Sequence, residues 1–209
     1  MIRETFALGP LACNCTILAD ERTRDAIVVD GGDGVDDVVE RLRTRGFRAT
    51  FLVYTHAHID HIGDVGRLRD ATGARALLHP ADLPLYETLP WQAGLIGYAR
   101  APAVVPLDGG FADGDEIGSG EIALRVLHTP GHTPGSVSFV TRDRATLFTG
   151  DTLFAGSIGR WDLGGTSMED IVASIVTKLL PFDDATRVVP GHGPMTSIGI
   201  ERRDNPYLT

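Results

Sequence analysis

Four side chains of metal-ligating type fall within six residues, His56-Ala57-His58-Ile59-Asp60-His61, and they directly follow the apolar run Phe51 to Val53. A β-rich run that stops just before such a cluster delivers it to a loop at the edge of a sheet, where side chains converge on a ligand instead of entering a core. Any fold for this chain therefore needs a sheet whose edge presents that loop. His56 and His58 stand two apart and point the same way in extended chain. Asp60 and His61 fall where the chain turns into the next helix and face a neighbouring position. One short loop is thus expected to serve two ions.

Imidazole nitrogen and carboxylate oxygen suit zinc, iron or manganese. Two ions need more donors than one loop supplies. Three later loops offer them, each set off by glycines and each following an expected strand: His132 in Thr129-Pro130-Gly131-His132-Thr133-Pro134-Gly135, Asp151 in Thr149-Gly150-Asp151-Thr152, and His192 in Pro190-Gly191-His192-Gly193-Pro194. Glycine beside a ligand lets the backbone turn sharply and aim the side chain inward. The expected sets are His56, His58 and His132 on one cation, Asp60, His61 and His192 on the other, and Asp151 shared through its two oxygens. His79 and His128 are read as surface or packing residues and stay outside these sets.

The surrounding pattern is α/β. Short β-rich runs are expected at Thr16 to Leu18, Ala26 to Val29, Phe51 to Val53 and Ala76 to Leu78, with helices at Val35 to Arg45 and Ile62 to Thr72. Pro80 to Pro102 reads as helix and loop. Strands then follow at Val104 to Leu107, Ile122 to Leu127, Ser136 to Val140, Thr146 to Phe148 and Arg187 to Val189. A helix from Ser167 to Leu180 has Ser167 as N-cap, Asp170 as its capping-box partner and Pro181 as a stop. A single domain over 1–209 is expected, with two halves of similar strand and helix content, approximately 1–103 and 104–209.

A formal net charge of −9 argues against a nucleic-acid partner, whose phosphates demand Lys and Arg. Cys13 and Cys15 are too close in sequence for a relaxed disulfide and read as small buried thiols. No window of the sequence approaches a membrane span and no basic run precedes an apolar one at the N-terminus, so no membrane partner is expected and a cytoplasmic setting is.

The motifs THAHIDHIGD, HTPGHTPGS, FTGDTLFAGSIGR and VVPGHGP, in that order, resemble the metallo-β-lactamase superfamily, and most of all its glyoxalase II-like hydroxyacylglutathione hydrolase branch in short single-domain form. The resemblance implies an αβ/βα four-layer sandwich with a dinuclear site along one edge, its ligands falling on the seven residues above. It implies a thioesterase of the S-lactoylglutathione type that takes a small-molecule thioester substrate. The nucleophile would be a hydroxide bridging two divalent cations, zinc for preference with iron or manganese accepting the same donors, and Asp60 and Asp151 would be its catalytic carboxylates. Asp151 stands where the best-known zinc β-lactamases use Cys, which argues against lactam hydrolysis. Arg160 and Trp161, in the loop after Asp151, are candidates for contact with an anionic substrate tail and an apolar substrate surface. The competing readings are a mononuclear-iron persulfide dioxygenase and, from a different class, a non-catalytic metal-binding scaffold.

Overall fold

Alternate residues of strand β3 (Asp25–Val29) enter two different cores: Ala26 and Val28 pack into one, Ile27 and Val29 into the other. A strand divided in this way is covered on both faces. The computed structural model describes residues 1–98, 100–118, 120–163 and 165–208, and shows what does the covering. β1 (Ile2–Leu8), β2 (Cys13–Ala19), β3, β4 (Arg48–Val53) and β5 (Arg75–Leu77) form one sheet in that order, antiparallel as far as β3 and parallel from β3 to β5. The outer face of this sheet packs on α1 (Val35–Arg45) and α3 (Val65–Thr72) through Val35, Val38, Leu42 and Leu68.

The second sheet comprises β6 (Glu116–Ile117), β7 (Leu124–His128), β8 (Val137–Thr141), β9 (Thr146–Gly150), β12 (Arg187–Pro190) and β13 (Thr196–Ser197), in the spatial order β13-β12-β9-β8-β7-β6. Its inner face supplies Leu124, Val126, Val137, Phe139, Phe148 and Val189 to the core between the sheets, where they meet Leu18, Ile27, Val29, Val53 and Leu77. Its outer face packs Val140, Leu147 and Val188 against Ile171 of α6 (Met168–Ser174) and Ile175 of the π-helical turn Ile175–Leu179. Helix, sheet, sheet and helix therefore stack as the αβ/βα four-layer sandwich expected from the resemblance. A small β10–β11 hairpin (Leu153–Phe154, Ser157–Ile158) follows β9.

Several sequence expectations shift. Val104 to Leu107 is not a strand: Pro102 and Pro106 lack N–H donors, and the segment crosses as coil, burying parts of Val105 and Leu107 against the first core. The helix expected over Ile62 to Thr72 is two, α2 (Ile59–Ile62) and α3, with Gly63 and Asp64 between them. The helix from Ser167 keeps its capping box, Ser167 Oγ accepting from Asp170 N and Asp170 Oδ2 from Ser167 N, but widens to π geometry after Ser174. Pro80 to Pro102 contains α4 (Leu83–Tyr86) and α5 (Leu89–Ile96). Strands β1 and β13 and helix α7 (Ile198–Asp204) were not anticipated. Among the described residues, no helix is long and apolar enough to cross a membrane.

Candidate metal centre

The C-terminal ends of β4, β9 and β12 and the β7–β8 turn open on one edge of the sandwich. They bring His56, His58, Asp60, His61, His132, Asp151 and His192 together. Nitrogens of His56, His58 and His132 form one close group, Asp60, His61 and His192 form another together with Cys13, and His56, His61 and Asp151 form a third. Asp151 lies between the first two. Its Oδ2 is 3.6 Å from His132 Nε2, while its Oδ1 is 3.5 Å from His61 Nε2 and 3.7 Å from His192 Nε2. His192 Nε2 is 3.0 Å from Asp60 Oδ2.

Hydrogen bonds on the far side of the rings decide which nitrogen faces the centre. His132 Nδ1–H donates to Arg160 O at 2.7 Å, and His192 Nδ1–H to Leu11 O at 3.1 Å. His61 Nδ1–H donates to Asp30 Oδ2 at 3.1 Å. Thr55 Oγ1 donates to the same Asp30 oxygen and accepts from His56 Nδ1–H, so one carboxylate orients two imidazoles. Each of these four rings turns Nε2 inward, and His58 presents Nδ1, 2.9 Å from His132 Nε2.

Facing nitrogens need something between them. His56 Nε2 and Asp151 Oδ1 are buried with no hydrogen-bond partner, and His61 Nε2 lies 3.3 Å from His192 Nε2. Unpaired buried acceptors are costly. A donor set of imidazole nitrogens and carboxylate oxygens satisfies them all by ligating cations, so these residues fit a metal site.

A sequence model of the Metallo-beta-lactamase superfamily matches residues 8–192. The chain belongs to the metallo-beta-lactamase superfamily. Among superfamily relatives, the Hydroxyacylglutathione hydrolase GloC of Haemophilus influenzae is 34% identical over 93% of this chain and 92% of its own length. Three solved structures are similar over nearly the whole chain. The di-iron-bound form of TTHA1623 has a TM-score of 0.88 at 37% identity, covering 98% of this chain and all of that one. The BLEG-1 B3 metallo-beta-lactamase has 0.87 at 33%, covering all of both. ETHE1 from Myxococcus xanthus has 0.81 at 28%, covering 99% of this chain and 84% of that one.

The way this superfamily member builds its centre explains two of its glycines. A Cβ on Gly191 would lie 2.2 Å from Asp151 Oδ1 and 2.7 Å from His61 Cε1, so only glycine lets β12 approach the carboxylate. Gly150 has φ +48°, the left-handed conformation glycine adopts readily, and its missing Cβ makes room for Thr55 Oγ1.

Electrostatics prepares the donors. Burial, reinforced by the surrounding imidazoles, holds the pKa of His56 well below its ordinary value and lowers that of His58 to about 3, so both stay neutral at pH 7. Burial opposes charge on His61 too, yet the carboxylates of Asp60, Asp151 and Asp30 outweigh it and raise its pKa. His192 is likewise raised, burial being overcome by its bond to Asp60 and by Asp151. Burial would raise Asp151, but His61, His132 and His192 hold it low and ionised.

Sequence reasoning missed the residues that brace the ligands. Asp30 is one, and a carboxylate directly at the end of an expected strand was its signal. Asp82 is another: it accepts from Ala57 N at 2.9 Å, Thr133 Oγ1 at 2.8 Å and Gly135 N at 2.6 Å, locking the His56 loop to the His132 loop. Gln92 accepts from Ile59 N at 3.0 Å and donates to Ala57 O at 3.2 Å. Cys13 Sγ sits 3.6 Å from His61 Nδ1, on the side of the ring away from the centre. Burial pushes its pKa up to about 12, so it is a packed thiol. His79 and His128 stack on each other at 4.3 Å.

A cavity of about 650 Å³ opens over the centre and includes His58, Asp60, His132, Asp151 and His192 in its floor. Arg160 lines it, its guanidinium bonded to both Asp162 oxygens. Trp161 is not among the lining residues. Its ring faces Tyr207 at 6.5 Å, and it packs against the outer core of the second sheet.

Proposed function

We propose that this chain is a dinuclear thioester hydrolase of the hydroxyacylglutathione type. The observation that carries the reading is Asp151, whose two oxygens face two separate groups of donors. In this reading His56, His58 and His132 would hold one cation and Asp60, His61 and His192 the other, with Asp151 available to both. Bound there, two divalent cations, zinc by preference or iron or manganese, would lower the pKa of a shared water toward neutrality and polarise a carbonyl oxygen.

The chain's own residues do the rest. Asp30 and the Arg160 and Leu11 carbonyls fix ring orientation, and Asp82 keeps the two loops in register. Asp60 and Asp151, whose oxygens lie among the His61 and His192 nitrogens, are proposed as the carboxylates that take up the proton released from the attacking water. In the overall reaction the water oxygen joins the acyl carbon, the carbon–sulfur bond breaks, and the thiol leaves with the second proton. A thiol with a pKa of about 8.5 leaves as thiolate without a strong acid beside it. Arg160 is proposed to meet an anionic part of the substrate on release from Asp162. A small-molecule thioester is the proposed partner, and a cytoplasmic setting, where Cys13 and Cys15 stay reduced, accompanies this reading.

Metal quantitation on purified protein, combined with thiol release from S-lactoylglutathione, tests it. Two cations per chain, with release lost in His58→Ala, support the reading. The similarity to ETHE1 keeps a second reading in view, a mononuclear-iron persulfide dioxygenase. One iron per chain, with oxygen uptake and no thiol release, would establish that instead. Cleavage of a β-lactam in preference to any thioester would overturn both.

A further inference from the structure

The cavity above the centre is more apolar than the chemistry at its floor requires. Helix α5 lines one side with Trp91, Leu95 and Ile96, and Leu11, Phe154 and Leu163 also contribute to the wall. Trp91 and Leu95 are 65% and 64% exposed, although α5 already buries Leu89 and Ala93 against the first core. A helix apolar on both its inner and outer sides expects a cover on each. Gln92 bonds α5 to Ala57 and Ile59, so this wall is fixed relative to the ligand loop. Arg160 is the one Lys or Arg among the described lining residues, so the cavity offers a single cation to an anionic carrier and none along α5.

Resting on the thioesterase reading, we infer that the acyl part of the substrate is an apolar chain of several carbons, lying along α5 against Trp91, Leu95 and Ile96. Biological thiol carriers bear carboxylates or phosphates, and burying such charges against leucines without partners is prohibitive. The carrier is therefore directed to the open mouth and the acyl chain to the wall. Water adds to the acyl carbon, the carbon–sulfur bond breaks, and a fatty acid and a thiol leave.

The test uses the metal-loaded full chain and one thiol, N-acetylcysteamine, carrying acetyl, hexanoyl or decanoyl groups, alongside S-lactoylglutathione. The expected result is a kcat/KM at least about tenfold higher for hexanoyl than for acetyl, since each buried methylene favours binding. Leu95→Asp should cut the hexanoyl value by about tenfold or more and flatten the dependence on chain length. A flat or falling series, with S-lactoylglutathione preferred, overturns the inference and leaves the thioesterase reading standing. A separate binding measurement uses an uncleavable thioether, S-decyl-N-acetylcysteamine, read by tryptophan fluorescence with Trp91→Phe as reference. Binding that tightens with chain length, beside no thioester cleavage at all, retains the apolar wall as a ligand site and sinks the thioesterase reading. No chain-length dependence in binding overturns the inference.

Discussion

The Nδ1–H of His61 donates to Asp30 Oδ2 at 3.1 Å, and Thr55 Oγ1 donates to the same oxygen while accepting from His56. His56 and His61 both turn Nε2 toward the centre, so one buried carboxylate orients two of its imidazoles. Asp30 has φ +54°, a conformation Asn also tolerates. Asp30→Asn removes the charge without a steric change. It should lower affinity for the bound cations by about 10 to 100-fold, as loss of a ligand's outer hydrogen-bond partner does. Competition with a chelator measures this, and an unchanged affinity would show that Asp30 merely packs.

Asp151→Ala removes the oxygens that face both groups. Metal content should fall from two cations per chain to at most one. The kcat for thiol release should fall at least about 100-fold, since a lost cation forfeits several kcal/mol of transition-state stabilisation. Retention of activity would place the chemistry at an unrelated site.

Proton competition gives a pH prediction with a definite sign. In the cation-free protein the pKa values of His61 and His192 are raised above the ordinary imidazole value of about 6.5. Their protonation therefore stabilises the fold fully below that value, and the contribution is lost as pH rises through the raised values. A cation needs both rings neutral and must displace those protons. The increase in Tm on adding zinc should be larger at pH 8 than at pH 6. An increase that shrinks with rising pH would mean that neither ring binds the cation.

Asp82 is fully buried, and burial raises its pKa against the pull of three donors. Asp82→Ala leaves Ala57 N, Gly135 N and Thr133 Oγ1 without their acceptor in a dry interior. Such a loss should cost about 3 kcal/mol of stability. Urea denaturation checks the figure, and a cost within 0.5 kcal/mol, the range of an ordinary surface substitution, would mean that water replaces the carboxylate.

What the sequence could reveal divides by the range of the interaction. The seven residues that converge here stand in short loops after apolar runs, and both signals are local. Helix α1 is local too, and its expected and observed bounds are both Val35–Arg45. Asp30 and Asp82 were hidden because their partners lie 25 to 53 residues away, and a lone Asp carries no mark of what it will accept from. Val104 to Leu107 misled because β-branched residues outweighed the two prolines in the reading, although the missing N–H groups decide the structure. Trp91 gave no sign of its place, since α5 is apolar apart from Gln92 and its periodicity does not say which face lines the cavity.

The central claim is that Asp151 is shared between two cations, and anomalous scattering from crystals of the zinc-loaded protein tests it most directly. The expected result is two peaks per chain, one among His56, His58 and His132 and one among Asp60, His61 and His192, with a different Asp151 oxygen toward each. A single peak, or two peaks with Asp151 turned away from both, would contradict it.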